Sequence, residues 1–159
     1  MATITRITNF KELIAILEET KVPHRYEAEP QVVEIQTGLP AGNLFVRWEK
    51  TLPYVQIIQP MVRNVPRERL AEIEHGICRA NNFAPLPGFG FDYDKGFVYM
   101  RLVVPMYEEG MLTQSFNRQL RAAVQNAKEF TNAFVKVVEG APGEQLVPLA
   151  IAENQPVKA

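Results

Sequence analysis

Between Tyr26 and Val62 three strand patterns follow one another with no helical stretch between them. Strands joined by short loops fold back on each other, so this run implies hairpins and a mainly antiparallel sheet; parallel neighbours would need a crossover of a dozen residues or more. The first pattern covers roughly residues 26–36 and is interrupted by Pro30; Val33 and Ile35 alternate with Glu34 and Gln36. In the second, residues 43–50, Leu44, Val46 and Trp48 alternate with Phe45, Arg47 and Glu49, giving one apolar and one mixed face. Gly38, Pro40 and Gly42 mark the turn between these two. The third covers 54–62, with Val55 and Ile57 on one face. Pro53 and Pro60 limit its ends, because proline cannot donate to a ladder.

Three helical patterns surround these strands. Phe10, Leu13, Ile14 and Leu17 recur at helical spacing over residues 9–20, with Asn9 as cap and Glu12 placed to reach back as in a capping box. A second helix over 66–81 begins at Pro66 and has Leu70, Ile73, Ile77 and Ala80 as its apolar stripe. Asn81 and Asn82 are suited to ending it. The longest pattern runs from Leu112 to Glu139, through Phe116, Leu120, Ala127, Phe130 and Phe134, and Gly140 is its natural stop. That narrow stripe suits a helix lying across its own sheet; a seam with a partner helix is the alternative.

A hairpin lies between the second and third helices, from about Leu86 to Val104. A three-residue loop, Asp94-Lys95-Gly96 with Gly96 left-handed, fits its turn. That loop sets Tyr93 opposite Phe97, Phe91 opposite Tyr99 and Phe89 opposite Arg101, all on one aromatic face. Val98, Met100 and Leu102 share the other face with Gly88, Gly90 and Asp92. With both faces apolar, one packs under helices and the other is free for a partner, unless the tail or another helix covers it. Arg101 marks the aromatic face as the more exposed one.

The succession is therefore α-β-β-β-α-β-β-α, an α+β domain with helices on one side of an antiparallel sheet. Residues 1–140 form this domain, and residues 141–159, with three prolines and no periodicity, read as an extended tail. The chain has 159 residues, enough for one core. Its 17 basic and 18 acidic residues argue against a nucleic-acid partner, which selects a basic face. No apolar run approaches the ~18 residues of a membrane helix. One cysteine, Cys78, excludes an internal disulfide and suits a reducing, cytoplasmic setting.

No motif assembles a reaction. Asp92, Asp94 and Gly96 fit a turn better than a calcium loop, because the glycine comes too early and Val103 stands where the loop needs glutamate. Gly88-Phe89-Gly90 leads into a strand and lacks a helix N-terminus for phosphate, so its glycines are expected to make room for a close neighbour. His24 and His75 read as surface histidines, Cys78 as a buried or half-buried structural thiol, and Glu108 and Glu109 as solvated charge. An enzyme reading would rest on His24, His75 and Cys78. The expectation is no catalytic residue, no metal and no cofactor.

The order of elements resembles the class I type III secretion chaperone fold and the bacterial sensory transduction regulators that share it. Trp48 in the second strand, Asn81-Asn82-Phe83 closing the second helix, Phe97 to Val104-Pro105, and Phe116 to Phe134 carry the likeness. It implies a non-enzymatic homodimer presenting sheet and helix surfaces to a partner protein. The near-balanced charge and the prolines after the last helix depart from the secretion chaperones and favour the regulator-like branch. The residues expected at the partner or dimer surface are Phe89, Phe91, Tyr93, Phe97, Tyr99 and Arg101. The alternative is a small-ligand regulator with a pocket between the sheet and the long helix, anchored by Tyr26, Tyr54 or Arg101.

Overall fold

A computed structural model describes residues 4–49, 51–84 and 88–153. Lys50, Leu86 and the last six residues of the expected tail lie outside them. In chain order the elements are β1 (Arg6–Ile7), α1 (Phe10–Glu19), β2 (His24–Glu27), β3 (Val32–Ile35), β4 (Leu44–Trp48) and β5 (Tyr54–Val62). They continue with α2 (Leu70–Phe83), β6 (Gly88–Asp92), β7 (Phe97–Pro105), β8 (Met111–Leu112), α3 (Thr113–Glu139) and α4 (Leu146–Glu153). Short 3-10 turns at Arg67–Arg69 and Gly143–Gln145 lead into α2 and α4.

The main sheet has six strands in the order β2-β3-β4-β5-β7-β6, every neighbour antiparallel. The first expected strand is folded back on itself as the β2–β3 hairpin, because Pro30 interrupts the run and the chain reverses there. A separate two-stranded pair, β1 with β8, ties the start of the described chain to the start of α3.

One face of the sheet packs under the helices. Val33 lies opposite Val46, Val46 opposite Ile57, and Ile57 opposite Leu102, so a single row of branched side chains crosses four strands. Helix α3 lies across β5 and β7, α2 lies beside β6, and α4 closes against α2 and α3. Phe116, Phe130 and Phe134 of α3 are fully buried, and each contributes on the order of 2–3 kcal/mol by leaving water. The stripe read from the sequence is thus a core stripe, except that Leu112 at its start is exposed.

Helix α1 is capped by Asn9, whose side chain accepts the Glu12 amide at 3.0 Å. The Glu12 carboxylate reaches one residue further back than a capping box, accepting the Thr8 N–H at 2.7 Å and the Thr8 hydroxyl at 2.8 Å. Those bonds hold its pKa below the usual glutamate value. Gly140 ends α3 with a left-handed φ of 134°, as its position requires.

Residues 141–153 do not run as an extended tail. Arg69 donates to the carbonyls of Val137 and Ala141, at 2.6 Å each, pinning the end of α3 to the start of α2. Gly143 then presses on α2: a Cβ there would lie 2.1 Å from the Glu72 carbonyl oxygen. Its N–H donates to the Glu72 carboxylate at 2.6 Å. Leu146 is fully buried over Gly76, and Ala150 is buried one turn later. Pro148 falls in the first turn of α4, where its missing N–H costs least. The periodicity was hidden because α4 is only 8 residues long and apolar nearly all round.

Candidate functional site

The face of the sheet away from the helices is built by the alternate residues of the same strands. Glu34 lies opposite Phe45, Phe45 opposite Ile58, and Ile58 opposite Arg101. Pro60 lies opposite Tyr99, and Tyr99 opposite Gly90. Together with the loop after β5 and the β6–β7 turn, these residues outline a basin of about 470 Å³. Its apolar floor is Phe45, Ile58, Pro60, Phe97 and Tyr99; its cations are Arg47, Arg63, Lys95 and Arg101; its carboxylate is Asp92.

The register of the β6–β7 hairpin decides which aromatics belong here. Asp92 pairs with Phe97, so four residues, Tyr93 to Gly96, make the loop. The Asp92 carbonyl accepts Gly96 N–H at 2.7 Å, its carboxylate accepts Lys95 N–H at 2.9 Å, and Gly96 is left-handed at φ 65°. Against the expected three-residue loop this is a slip of one residue, which moves every side chain of one strand to the opposite face. Phe89 and Phe91 therefore lie with Val98 and Met100 on the helix side. The Phe89 ring is 4.8 Å from Phe130 and 6.0 Å from Phe134, centroid to centroid, and Phe89 is core. Phe91 is half-buried against that core. Tyr93 is in the turn, 66% exposed, with its hydroxyl donating to the Glu74 carboxylate. Phe97, Tyr99 and Arg101 alone of the six expected surface residues share the helix-free face.

Two details fix the floor. The Tyr99 ring folds over the Gly90 backbone, where a Cβ would lie 2.6 Å from the ring's end, so Gly90 does make room for a neighbour as its motif suggested. The Arg63 guanidinium caps Phe97 at 5.5 Å from the ring centroid while its Nε donates to the Ala41 carbonyl at 2.6 Å. Gln59, buried on the helix side, donates to the Gly42 carbonyl at 3.0 Å and so holds the same loop against β5.

The rim is electrically unbalanced. Arg47 pairs with Glu49 at 2.8 Å. Among the described residues, Arg63, Lys95 and Arg101 have no carboxylate within 4.0 Å. The nearby Glu34 is already engaged by Arg25 and, at 2.7 Å, by Asn43. The Arg25 bond first, and then Asn43, hold the Glu34 pKa below the usual carboxylate value.

The residues an enzyme would use stand apart. His75 and Cys78 are both exposed on α2. The exposed thiol corrects the expectation of a buried or half-buried cysteine: Ile73, Gly76 and Ala80 face the core, and position 78 turns outward between them. His24 is half-buried at the start of β2, with Nδ1 2.7 Å from the Val22 carbonyl. No group of three or more His, Cys, Asp or Glu suited to a metal occurs among the described residues. No helix there is long and apolar enough to cross a membrane.

The alternative ligand anchors do not converge either. Tyr54 and Arg101 lie on the face away from α3, while Tyr26 packs edge-on to Phe10 at the far edge of the sheet. The sequence also gave Asn81 the wrong task. Helix α2 continues past it, and its side chain exchanges two hydrogen bonds with the Phe89 backbone, at 2.7 and 3.0 Å. It thereby covers the outer edge of β6, which would otherwise present unpaired groups.

A chain in the solved structure of the HopA1-SchA chaperone-effector complex superposes on this one with a TM-score of 0.53, over 77% of this chain and 94% of that one. The two folds are alike. Sequence identity is 12%, so the likeness is one of fold. No protein-family model and no curated protein matches the sequence.

Proposed function

We propose that the chain is a non-enzymatic protein-binding module, chaperone-like or regulatory, that acts as a homodimer and presents the helix-free sheet face to a partner protein. The observation that carries the reading is the basin itself: Phe45, Ile58, Phe97 and Tyr99 gathered on the sheet face that no helix among the described residues covers. Aromatic side chains and arginine are the residue types most enriched where proteins bind each other. The fold shared with a chain of a chaperone–effector complex supports the same reading. Within that class, the near-balanced charge of the chain favours the regulator-like branch.

Light scattering over a concentration series tests the dimer, and Tyr99→Asp tests the face. Tyr99 is half-exposed and packs on backbone, so the variant is expected to fold. The reading expects a dimeric parent and a Tyr99→Asp protein that keeps its melting temperature but loses association with a copurifying protein partner. A chain monomeric at every concentration removes the homodimer. A Tyr99→Asp variant that unfolds makes the face structural.

A further inference from the structure

The basin is lined by charge as well as by apolar side chains. The whole chain carries a formal charge of −1, yet the lining of this basin holds four cations and one carboxylate. Only Arg47 among them has an acidic partner within reach in the described residues. Unpaired cations at a rim choose partners by sign and speed the encounter, while the apolar floor supplies the contact energy.

We infer that the occupant of this face is an acidic, extended polypeptide segment that alternates carboxylates with apolar side chains. This rests on the protein-binding reading above and names its partner's chemistry. An extended segment presents successive side chains in opposite directions, so its apolar residues can meet Phe45, Ile58 and Tyr99. Carboxylates at the flanks meet Arg101, Lys95 and Arg63. Arginine at the rim suits carboxylate, which it binds through a planar fork.

A nucleic acid would need open ring faces for stacking. Here Arg63 covers Phe97, and Tyr99 lies against Gly90. The aliphatic floor of Ile58 and Pro60 also favours peptide side chains over bases.

The test is fluorescence anisotropy with the full chain and three labelled peptides of one design, alternating Phe or Leu with Asp or Glu, with Gln, or with Lys. A thymidine oligonucleotide is the fourth probe. The protein variant is Arg101→Glu with Lys95→Glu; both residues are exposed and neither side chain makes a hydrogen bond or ion pair within the described residues. Arg101→Gln with Lys95→Gln is the milder pair, should the reversal disturb folding.

The proposal expects the acidic peptide to bind at least about tenfold more tightly than the Gln and Lys versions, the reversal to remove that preference, and added salt to weaken it. Equal binding of the Gln or Lys peptide overturns the acidic choice and leaves the protein-binding face standing. Failure of all three peptides with a chain that is monomeric at every concentration overturns both. Tighter binding of the oligonucleotide assigns the face to nucleic acid instead. A dimer that the reversal splits, with no peptide bound, assigns it to a second copy.

Discussion

Truncating Leu146 to alanine tests the claim that the C-terminal helix belongs to the folded body. Leu146 is fully buried, and its side chain fills the space that Gly76 leaves on α2. Leucine-to-alanine changes in a core cost about 2–5 kcal/mol, depending on how far the site collapses. Helix α4 is only 8 residues long, so it can shift toward α2 and recover part of the loss. That places Leu146→Ala near the lower end, about 2–3 kcal/mol. For a chain of this size each kcal/mol moves the melting temperature by about 2–4 °C, so a drop of about 5–10 °C is expected. Near-ultraviolet circular dichroism and the fluorescence of Trp48, the chain's single tryptophan, both report the melt. Ile151→Ser is the control: Ile151 is 45% exposed on the same helix and should shift the melt by under about 2 °C. A Leu146→Ala protein melting within 1 °C of the parent would refute the docking argument.

Other outcomes follow from single contacts. Asn81→Ala removes two partly buried hydrogen bonds from the β6 edge and should cost about 0.5–1.5 kcal/mol, seen as a lower denaturation midpoint, whereas Asn82→Ala, at a neighbouring exposed position, should be near neutral. The pKa of Glu12 is lowered in the fold by its bonds to Thr8, so its stabilisation is present above the unfolded glutamate value of about 4.3 and fades as pH falls through the folded one. Glu12→Gln should therefore melt below the parent at neutral pH and converge with it in acid; a constant gap down to pH 2 contradicts this. Cys78 should react with a thiol reagent in the native protein as fast as in urea, because α2 exposes it; a native rate slowed a hundredfold would mean it is buried.

Much of this fold is readable from side-chain period. Val55 and Ile57, Leu44 and Val46, and the Phe116–Phe134 stripe all face the core that their spacing implies. The failures have local physical causes. The hairpin turn could close with three or four residues between the strands, and the choice depends on whether Tyr93 or Asp92 pairs with Phe97. That one step moved Phe89 from the expected surface into the core and Phe91 to its margin on the helix side. Arg101 did mark the exposed face, since a charge without a partner is costly to bury. Arg63, Phe45 and Ile58 were missed because strands distant in sequence bring them to Tyr99, and no spacing announces that meeting.

The central claim is that the helix-free face receives a polypeptide. The direct measurement is a titration of isotope-labelled protein with the acidic alternating peptide, followed by amide chemical shifts. The account predicts saturable shifts concentrated in β4, β5 and β7, around Phe45, Ile58, Tyr99 and Arg101. Shifts centred on α2 and α4, or none at peptide excess, would contradict it.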